Sequence, residues 1–532
     1  MIVFLVILIL GGCFSVYFGQ DNNYDLRNYH LYNAWSLMNG HLNKDILAAG
    51  TQTYINPLLD LPYYMIAVKW LPGYPIAVAF LGGLPYGVLV FFTWLVARKI
   101  AVKLNFGSSL ETETVAILTT IFGVTGSASI SQIGTTFNEI QLAVFNIAAL
   151  FFLLQSTEDL PERNRRNLIL LAGALLGISA GLKFTSLVYT IGAGIALLLV
   201  TRGWKPRFLA MFYFGLAWLG MFGIVYGWWG YKLWQLFGNP MFPFYNQIFK
   251  SAWIPAINIS DLRFMPRSIF QTIFYPFYWL LPNAMIVTEA TFSDFRFSFA
   301  YLGVVILIGS FLYRKLSLKK ENLEENSAAN GKDNRVFYML IVFFVISYIF
   351  WEVEFSILRY AVPIEILSGI IFAIGIKKSG LLGKKRILMI PFLTLSIFIL
   401  MVSTHYPAWG RINYDPSQTY KVLSPTLPDN SLILLENPPI SYIAPFLKMK
   451  DGGSPEFIGL ERYGLVKNYK LGELIRTKIQ DHKGPIFVVS QSGWNDWNVL
   501  NSEFGISVDL PSCQPITSTR DASQKLCPAY IK

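Results

Sequence analysis

Long apolar runs, separated by short polar segments, occupy about the first three quarters of the chain. A run of about 20 apolar residues can cross a bilayer as a helix, because its backbone hydrogen bonds then close within the segment. The pattern predicts about eleven transmembrane helices and hence a polytopic α-helical membrane protein. The predicted runs lie at 1–19, 73–97, 113–131, 140–155, 168–183, 185–200, 209–229, 298–312, 337–351, 359–376 and 387–403.

The first run, MIVFLVILILGGCFSVYFG, has the length of a signal peptide. It lacks a positively charged n-region and a cleavage site of the A-x-A kind, so we interpret it as a retained helix. Cys13 lies within it, and we expect this side chain to pack as a small apolar residue.

The polar segments divide the chain into two predicted domains. A transmembrane domain is expected at 1–403, with long outer loops at 20–72 and 230–297, and a soluble tail follows at 404–532. The second loop is rich in aromatic residues, which predicts a segment lying on lipid. The segment 319–335 is predicted to be a solvated linker.

The tail has a pattern of its own. Strand-like apolar runs at 431–436 and 485–490 flank a helical stretch at 471–480. Such alternation predicts a small α/β domain. The tail also holds Cys513 and Cys527.

Composition supports the membrane assignment. Of the 532 residues, 54% are hydrophobic and only 14% are charged. Soluble proteins carry about 25% charged residues, so a chain of several soluble domains is excluded. The same composition, with a mean hydropathy of +0.45, excludes disorder.

The net charge of +11 predicts the topology rather than nucleic-acid binding. Cytoplasmic loops of membrane proteins are enriched in Lys and Arg. Five loops hold 20 of the 43 Lys and Arg residues, so their side should be cytoplasmic. These loops are 98–112, 156–167, 201–208, 313–336 and 377–386. The N-terminus is then inside and the tail outside. An extracytoplasmic tail permits a disulfide between its two cysteines, whereas the inverted topology predicts free thiols.

Ionisable residues at the outer membrane boundary are the candidates for chemistry, since charge is costly there. Asp25, Tyr29, Tyr32 and Asn33 recur at helical spacing in the first loop, and Asp25 closely follows the first run. An interfacial amphipathic helix with an aromatic belt explains this spacing equally well. The stretch 54–64 then predicts an amphipathic return to the membrane.

Three further charges lie at the outer ends of runs. Glu139 opens the fourth run, where helix capping explains an acid as well as catalysis does. Lys183 stands between two short runs; snorkelling is one explanation, although a face of glycines beside it predicts tight packing. Arg359 begins a run where a cation opposes the helix dipole, so it needs an anionic partner. That partner is either a ligand or an acid such as Glu352 or Glu354.

These features together resemble a known family. The juxtamembrane Asp25, the Pro-containing return, the GxxxGxxxGLKxT run through Lys183, the LRYAVP segment at Arg359 and the outer C-terminal domain are similar to the GT-C class. These are polyprenyl-phosphate-sugar-dependent glycosyltransferases, including protein mannosyltransferases and lipid A aminoarabinose transferases. The likeness extends over the whole architecture, with short and degenerate motifs.

The resemblance implies an outward-facing active site. Asp25 matches the first-loop catalytic acid, a general base towards an acceptor hydroxyl. Many members have a second acid before a Lys-Pro pair, but here Asn56 precedes Pro57. The resemblance then implies Asp60 or Glu139 as the substitute catalytic acid. The residues assigned to substrate binding are Arg27, Tyr29, His30, Asn56, Lys183, Arg359 and Tyr360, with the two cations Lys183 and Arg359 on the donor phosphate.

The implied function is inverting sugar transfer from an undecaprenyl- or dolichyl-phosphate donor to a glycan, lipid or protein acceptor, at the outer face of a bacterial inner membrane. No resident cofactor is predicted, although a divalent cation is left open. The alternatives are a transporter or flippase of lipid-linked glycans, a polymerase or ligase using diphosphate donors, and an inactive relative.

Overall fold

The computed structural model describes residues 2–317, 334–380, 388–491 and 497–532. The long helices are Ile2–Phe18, Pro75–Leu104, Ser109–Val124, Glu139–Ser156, Glu162–Leu182, Leu187–Val200, Trp204–Phe237, Arg296–Ser317, Arg335–Glu354, Ser368–Ser379 and Met389–Ser403. Shorter helices in the loops include Leu31–Met38, Leu61–Tyr64, Ser127–Ser131, Asn246–Phe249, Ile269–Ile273 and Val362–Glu365. Most of the predicted linker, and 381–386 of the loop 377–386, lie outside the described residues.

Each of the eleven predicted runs contains a helix. Within the described residues, six helices are long and apolar enough to cross a membrane, or seven if the bent pair Leu358–Glu365 and Ser368–Ser379 counts as one span. Three shorter apolar helices, Ile2–Phe18, Phe184–Val200 and Met389–Ser403, fall below that length. The chain is thus a multi-pass membrane protein, and the count of eleven crossings stays a prediction.

The predicted glycine face packs tightly. A Cβ placed on Gly173 or Gly177 would overlap the carbonyl oxygens of Phe214 and Trp218 on the Trp204–Phe237 helix. Two helix backbones approach this closely only where side chains are absent. The glycines therefore fix the Glu162–Leu182 helix, which leads directly to Lys183, against its neighbour.

The first helix, Ile2–Phe18, also packs closely through small residues. The expectation that Cys13 is one of the packed residues is wrong. Gly11, Gly12 and Ser15 are its buried residues, and a Cβ at Gly11 would lie 2.8 Å from the backbone nitrogen of Gly87. Cys13 is a free thiol on the exposed side of the helix instead of a packed one. The helix is apolar all round, so the sequence does not reveal which face meets the protein.

The tail forms a seven-stranded mixed sheet with helices, as predicted. Leu432–Leu435 pairs in parallel with both Glu456–Gly459 and Ile486–Gln491. The predicted helix is present at Lys470–Gln480. The other strands are Val422–Leu423, Ile506–Val508, Gln514–Ser518 and Gln524–Ile531. A disulfide joins Cys513 and Cys527.

The first outer loop packs against the tail, and its strand Gln20–Asp21 belongs to a separate two-stranded sheet. Strand Gln20–Asp21 pairs antiparallel with Arg411–Ile412, and Ile46 bridges to Ile458 beside strand Ala48–Thr51. Tyr29, Tyr32 and Trp35 share one apolar core with tail residues such as Leu435, Tyr442 and Phe457. The interpretation as an interfacial amphipathic helix is wrong, because the tail covers the face that would have met lipid.

The second outer loop is only partly interfacial. Phe242, Tyr275 and Trp279 are buried against the bundle and the tail, whereas Phe270 and Leu281 are exposed. At its end Asp294 and Arg296 form a fully buried ion pair of 2.9 Å. The loop therefore helps to close the end of the bundle that faces the tail.

Candidate active site

The first loop places Asp25 at the end of the bundle that carries the tail. Asp21 accepts hydrogen bonds from the backbone and hydroxyl of Thr136, at 2.8 and 2.9 Å, which ties the loop to the segment before Glu139. The Asn23 side chain accepts from the Leu26 backbone nitrogen at 2.8 Å and starts the following helical turn, Leu26–His30. These local bonds fix the turn that carries Asp25.

Arg359 is the partner of Asp25. Its Nη1 lies 3.0 Å from Asp25 Oδ2, and its guanidinium carbon lies 4.8 Å from the Phe137 ring centroid. Of the two alternatives for Arg359, the ion pair with Glu352 or Glu354 is therefore wrong. Arg359 lies in the first segment of the bent pair Leu358–Glu365 and Ser368–Ser379.

Glu139 and Lys183 form a second ion pair. Lys183 Nζ lies 2.5 Å from Glu139 Oε1 and 3.2 Å from the Phe137 carbonyl oxygen, to which it donates. Its side chain is only 13% exposed, so it does not snorkel. The Tyr360 ring centroid lies 5.3 Å from this ammonium group. Tyr360 thus stands between the two basic residues.

Asp60 belongs to a third polar group. Its Oδ1 lies 2.6 Å from His30 Nδ1 and accepts from the Asn138 amide at 2.9 Å. The rings of Tyr29 and His30 are 4.0 Å apart. Burial raises the pKa of Tyr29 well above its usual range, and the nearby carboxylate of Asp25 raises it further. Tyr29 therefore keeps its proton and can donate a hydrogen bond.

Several polar atoms of this cluster are buried without a hydrogen-bond partner among the described residues. They are His30 Nε2, Glu139 Oε2 and Arg359 Nε. Buried polar atoms are normally satisfied, so such atoms in a cluster indicate a place for water or a ligand. The structure thus gathers Asp25, Tyr29, His30, Asp60, Glu139, Lys183, Arg359 and Tyr360.

Two residues predicted to bind substrate have other contacts. Arg27 Nη1 pairs with Asp521 of the tail at 3.1 Å. Asn56 donates to the carbonyl oxygens of Gly181 and Val225 at 3.0 and 3.3 Å, and it caps the turn Pro57–Leu59. Arg27 therefore joins the loop to the sheet, and Asn56 joins it to the glycine-packed helices.

The sequence did not indicate a buried network behind Arg359. Glu365 accepts from the backbone nitrogens of Ala128 and Ser129, both at 2.8 Å, and so holds the short helix Ser127–Ser131. Gln132, next to that helix, donates to the Arg359 carbonyl oxygen at 3.2 Å. The hydroxyl of Tyr189 donates to the next carbonyl, that of Tyr360, at 2.5 Å.

The donor set does not fit a divalent cation, the alternative left open by the sequence. Asp25 and Glu139 are each neutralised by a basic side chain, and Asp60 is bound to His30. Hard cations bind several carboxylate oxygens that are free to converge. Within the described ranges no three His, Cys, Asp or Glu side chains converge in this way.

Comparisons with known proteins assign the fold. No protein-family model and no curated protein sequence matches the chain. Among solved structures it is similar to ArnT from Cupriavidus metallidurans bound to undecaprenyl phosphate, with a TM-score of 0.51 and 11% identity over 99% of this chain and 97% of that one.

Two further structures are more distant. The apo Archaeoglobus fulgidus oligosaccharyltransferase has a TM-score of 0.49 and 11% identity, over 92% of this chain and 69% of that one. Apo ArnT has a TM-score of 0.43 and 10% identity, over 99% and 97%. The likeness to ArnT in its lipid-bound state extends over nearly the whole of both chains, so the protein has the GT-C fold that its sequence resembles.

Proposed function

We propose that the protein is an integral membrane glycosyltransferase. It moves a hexose or pentose from a polyprenyl-phosphate donor to an acceptor at the extracytoplasmic face of a bacterial inner membrane, with the N-terminus in the cytoplasm. The observation that carries the proposal is the pair of buried ion pairs, Asp25 with Arg359 and Glu139 with Lys183, at the outer end of a GT-C fold.

The residue types suit the reaction. The acceptor oxygen forms a bond to the anomeric carbon, the bond from that carbon to the phosphate oxygen breaks, and the acceptor proton passes to Asp25. Arg359 and Lys183 stabilise the charge that develops on the leaving phosphate, an effect worth several kcal/mol in a site from which water is excluded. A single displacement of this kind inverts the anomeric configuration.

The two ion pairs give the phosphate of the sugar donor a second role, which is to release Asp25. In the structure Arg359 holds Asp25, and Lys183 holds Glu139. A donor phosphate competes for both cations, because guanidinium and ammonium groups bind phosphate through the same donors that bind carboxylate. Exchange of Arg359 from Asp25 to the phosphate leaves Asp25 free to accept a hydrogen bond from the acceptor hydroxyl.

The test is mass spectrometry of cell-envelope glycans from a deletion strain, its parent and the complemented strain. Loss of one sugar from an otherwise intact acceptor, restored by the gene, supports transfer. A transporter or flippase predicts instead that the complete lipid-linked glycan accumulates at the cytoplasmic face. Unchanged glycans in the deletion strain would contradict both functions.

A further inference from the structure

His30 and Asp60 form a buried pair outside the two ion pairs of the proposed reaction. His30 Nδ1 lies 2.6 Å from Asp60 Oδ1, and the two side chains are only 3% and 4% exposed. The same oxygen accepts a hydrogen bond from the Asn138 amide at 2.9 Å. A carboxylate oxygen accepts from N–H groups, so Nδ1 is the nitrogen that carries a proton in this contact.

The other nitrogen of the His30 ring is available to a ligand. Nε2 is buried and has no hydrogen-bond partner among the described residues. The bond from Nδ1 to Asp60 fixes the orientation of the ring, so Nε2 faces away from the carboxylate. A buried ring nitrogen that is held in this way and lacks a partner indicates a position for a ligand atom.

Asn138 connects this pair to Lys183. It has a φ of +69°, in the left-handed region, at the start of the Glu139–Ser156 helix. The residues on both sides of it meet the ammonium group, because the Phe137 carbonyl oxygen accepts from Lys183 and Glu139 forms the ion pair with it. This three-residue segment thus holds the histidine–aspartate pair on one side and the ammonium group on the other.

The first loop connects the pair to Arg359. Leu26–His30 is a π-helical turn that begins after Asp25. Hydrogen bonds in such a turn join residues five apart, so Asp25 and His30 leave the same face of it. The Tyr29 and His30 rings are 4.0 Å apart, and the Tyr29 hydroxyl lies 3.5 Å from Asp25 Oδ2. Asp25 is in turn bound to Arg359.

The balance of charge favours a protonated His30. Asp25 and Glu139 each have a basic partner. A neutral imidazole would leave Asp60 without a charged partner among the described residues of the cluster. A buried charge without a partner is costly, and it would also repel the phosphate of a donor. An imidazolium removes both penalties and places an N–H group at Nε2.

Three basic side chains, His30, Lys183 and Arg359, then surround one space. All three lie within electrostatic range of the same carboxylate, that of Glu139. Arg359 Nε, like His30 Nε2, has no partner in the described part of the chain. Lys183 Nζ has three hydrogens and donates to two oxygens, so one hydrogen is left for a ligand. Charged N–H groups that converge in this way favour an anion with several oxygens, such as a phosphate.

We propose that His30 is a third ligand of the donor phosphate, as an imidazolium that Asp60 and Asn138 hold in place. The inference rests on the proposed function and deepens it, because it adds a charged donor that stabilises the leaving phosphate. His30 is then a catalytic residue that contacts the phosphate, whereas Asp60 and Asn138 are positioning residues that act through it.

The test measures the binding of undecaprenyl phosphate to the purified full-length protein. In His30→Asn the amide takes the place of Nδ1 and keeps the bond to Asp60, but nothing replaces Nε2. The affinity should fall about tenfold or more, as for a lost hydrogen bond to a charged group. Undecaprenol, which has the same chain and no phosphate, should bind both proteins equally. His405→Asn, at an exposed imidazole, is the matched control and should bind as wild type.

A second variant tests the positioning role of Asp60. Asp60→Asn keeps the shape of the pair but removes the charge that stabilises the imidazolium, so the affinity should fall by a similar factor. If Asp60 acts through His30, the double variant His30→Asn/Asp60→Asn should bind no more weakly than His30→Asn alone. A purely structural Asp60 predicts instead that the two losses add.

The outcomes separate this inference from the proposed function. Equal binding of undecaprenyl phosphate by wild type and His30→Asn would overturn the inference, and so would an equal loss of undecaprenol binding. Additive losses in the double variant would overturn the positioning role of Asp60. Failure of the wild-type protein to bind undecaprenyl phosphate at all would instead count against the proposed function itself.

Discussion

The guanidinium of Arg359 lies 3.0 Å from the carboxylate of Asp25, so the proposed base and a proposed phosphate ligand neutralise one another. Both are largely buried, at 17% and 8% side-chain exposure. A buried pair of this kind is costly to leave with one member missing. The pairing therefore links the occupancy of the phosphate site to the availability of Asp25.

Replacing Asp25 should stop transfer without stopping donor binding. Asp25→Asn removes the proton acceptor, and loss of a general base lowers turnover by about 10²–10⁴-fold. Undecaprenyl phosphate should bind at least as tightly as to wild type, because Arg359 no longer has a competing carboxylate. Sugar transfer and lipid binding are measured on the same preparation. Asp415→Asn, at an exposed loop carboxylate, is the control, and full transfer by Asp25→Asn would disprove the assignment.

Replacing the cations should weaken donor binding. Arg359→Gln and Lys183→Met each remove a phosphate ligand, and a charge-assisted hydrogen bond contributes about 1.5–3 kcal/mol. The expected loss of lipid affinity is about tenfold or more for each variant. Arg263→Gln, which alters an exposed ion pair with Asp261, should bind normally. Unchanged affinity in both site variants would dispose of the phosphate clamp.

The stability of the double variant Asp25→Asn/Arg359→Gln should show whether the two side chains are energetically coupled. Arg359→Gln leaves Asp25 as an uncompensated buried charge, at a cost of about 3–5 kcal/mol. Adding Asp25→Asn removes that charge, so thermal unfolding in detergent should return most of the way to wild type while transfer remains absent. A double variant less stable than Arg359→Gln would show that the two side chains are not coupled as the structure has them.

The hydroxyl of Tyr189 should position the Arg359 segment. It donates to the Tyr360 carbonyl oxygen at 2.5 Å, and Tyr189→Phe removes only this bond. We expect a severalfold loss of lipid affinity with little change in thermal stability, since a single neutral hydrogen bond contributes about 1 kcal/mol. Tyr338→Phe, at an exposed ring in another span, is the control. Equal lipid affinity in both variants would contradict a positioning role.

The glycine face gives a prediction about packing alone. Gly177→Ala forces a methyl group into the Trp218 carbonyl oxygen, so the yield of folded protein should fall sharply. Gly220→Ala, on the facing helix, meets nothing within 4 Å and should be tolerated or gain about 1 kcal/mol of helix stability. Size-exclusion profiles of the two variants report the difference, and similar profiles would contradict the packing.

Much of the architecture follows from the sequence because apolar length and glycine spacing are local signals. The eleven runs, the two tail strands at 431–436 and 485–490, and the tight packing beside Lys183 are of this kind. The proximity of Asp25, Lys183 and Arg359 was expected because all lie at outer ends of runs.

The pairings could not be predicted, because each depends on how separate segments meet. Asp25 with Arg359, Glu365 with the Ser127–Ser131 turn, and Arg27 with Asp521 join residues far apart in the chain. The first-loop helix was misjudged for the same reason, since its amphipathic spacing fits a lipid surface and a protein surface equally well. The residues around Cys13 are apolar on all sides of the helix, so the sequence does not indicate which side of the helix the thiol occupies.

Because the first loop is joined to the tail, the candidate site cannot be complete until late in the synthesis of the chain. Gln20 donates to the Thr419 carbonyl oxygen across 399 positions of sequence, and Arg520 donates to the Asp21 carbonyl oxygen. Chains emerge N-terminus first, so the segment that carries Asp25 leaves the ribosome hundreds of residues before the sheet that covers it. A nascent or truncated chain should therefore have an incomplete candidate site, and the proposed transfer should begin only after the tail has folded.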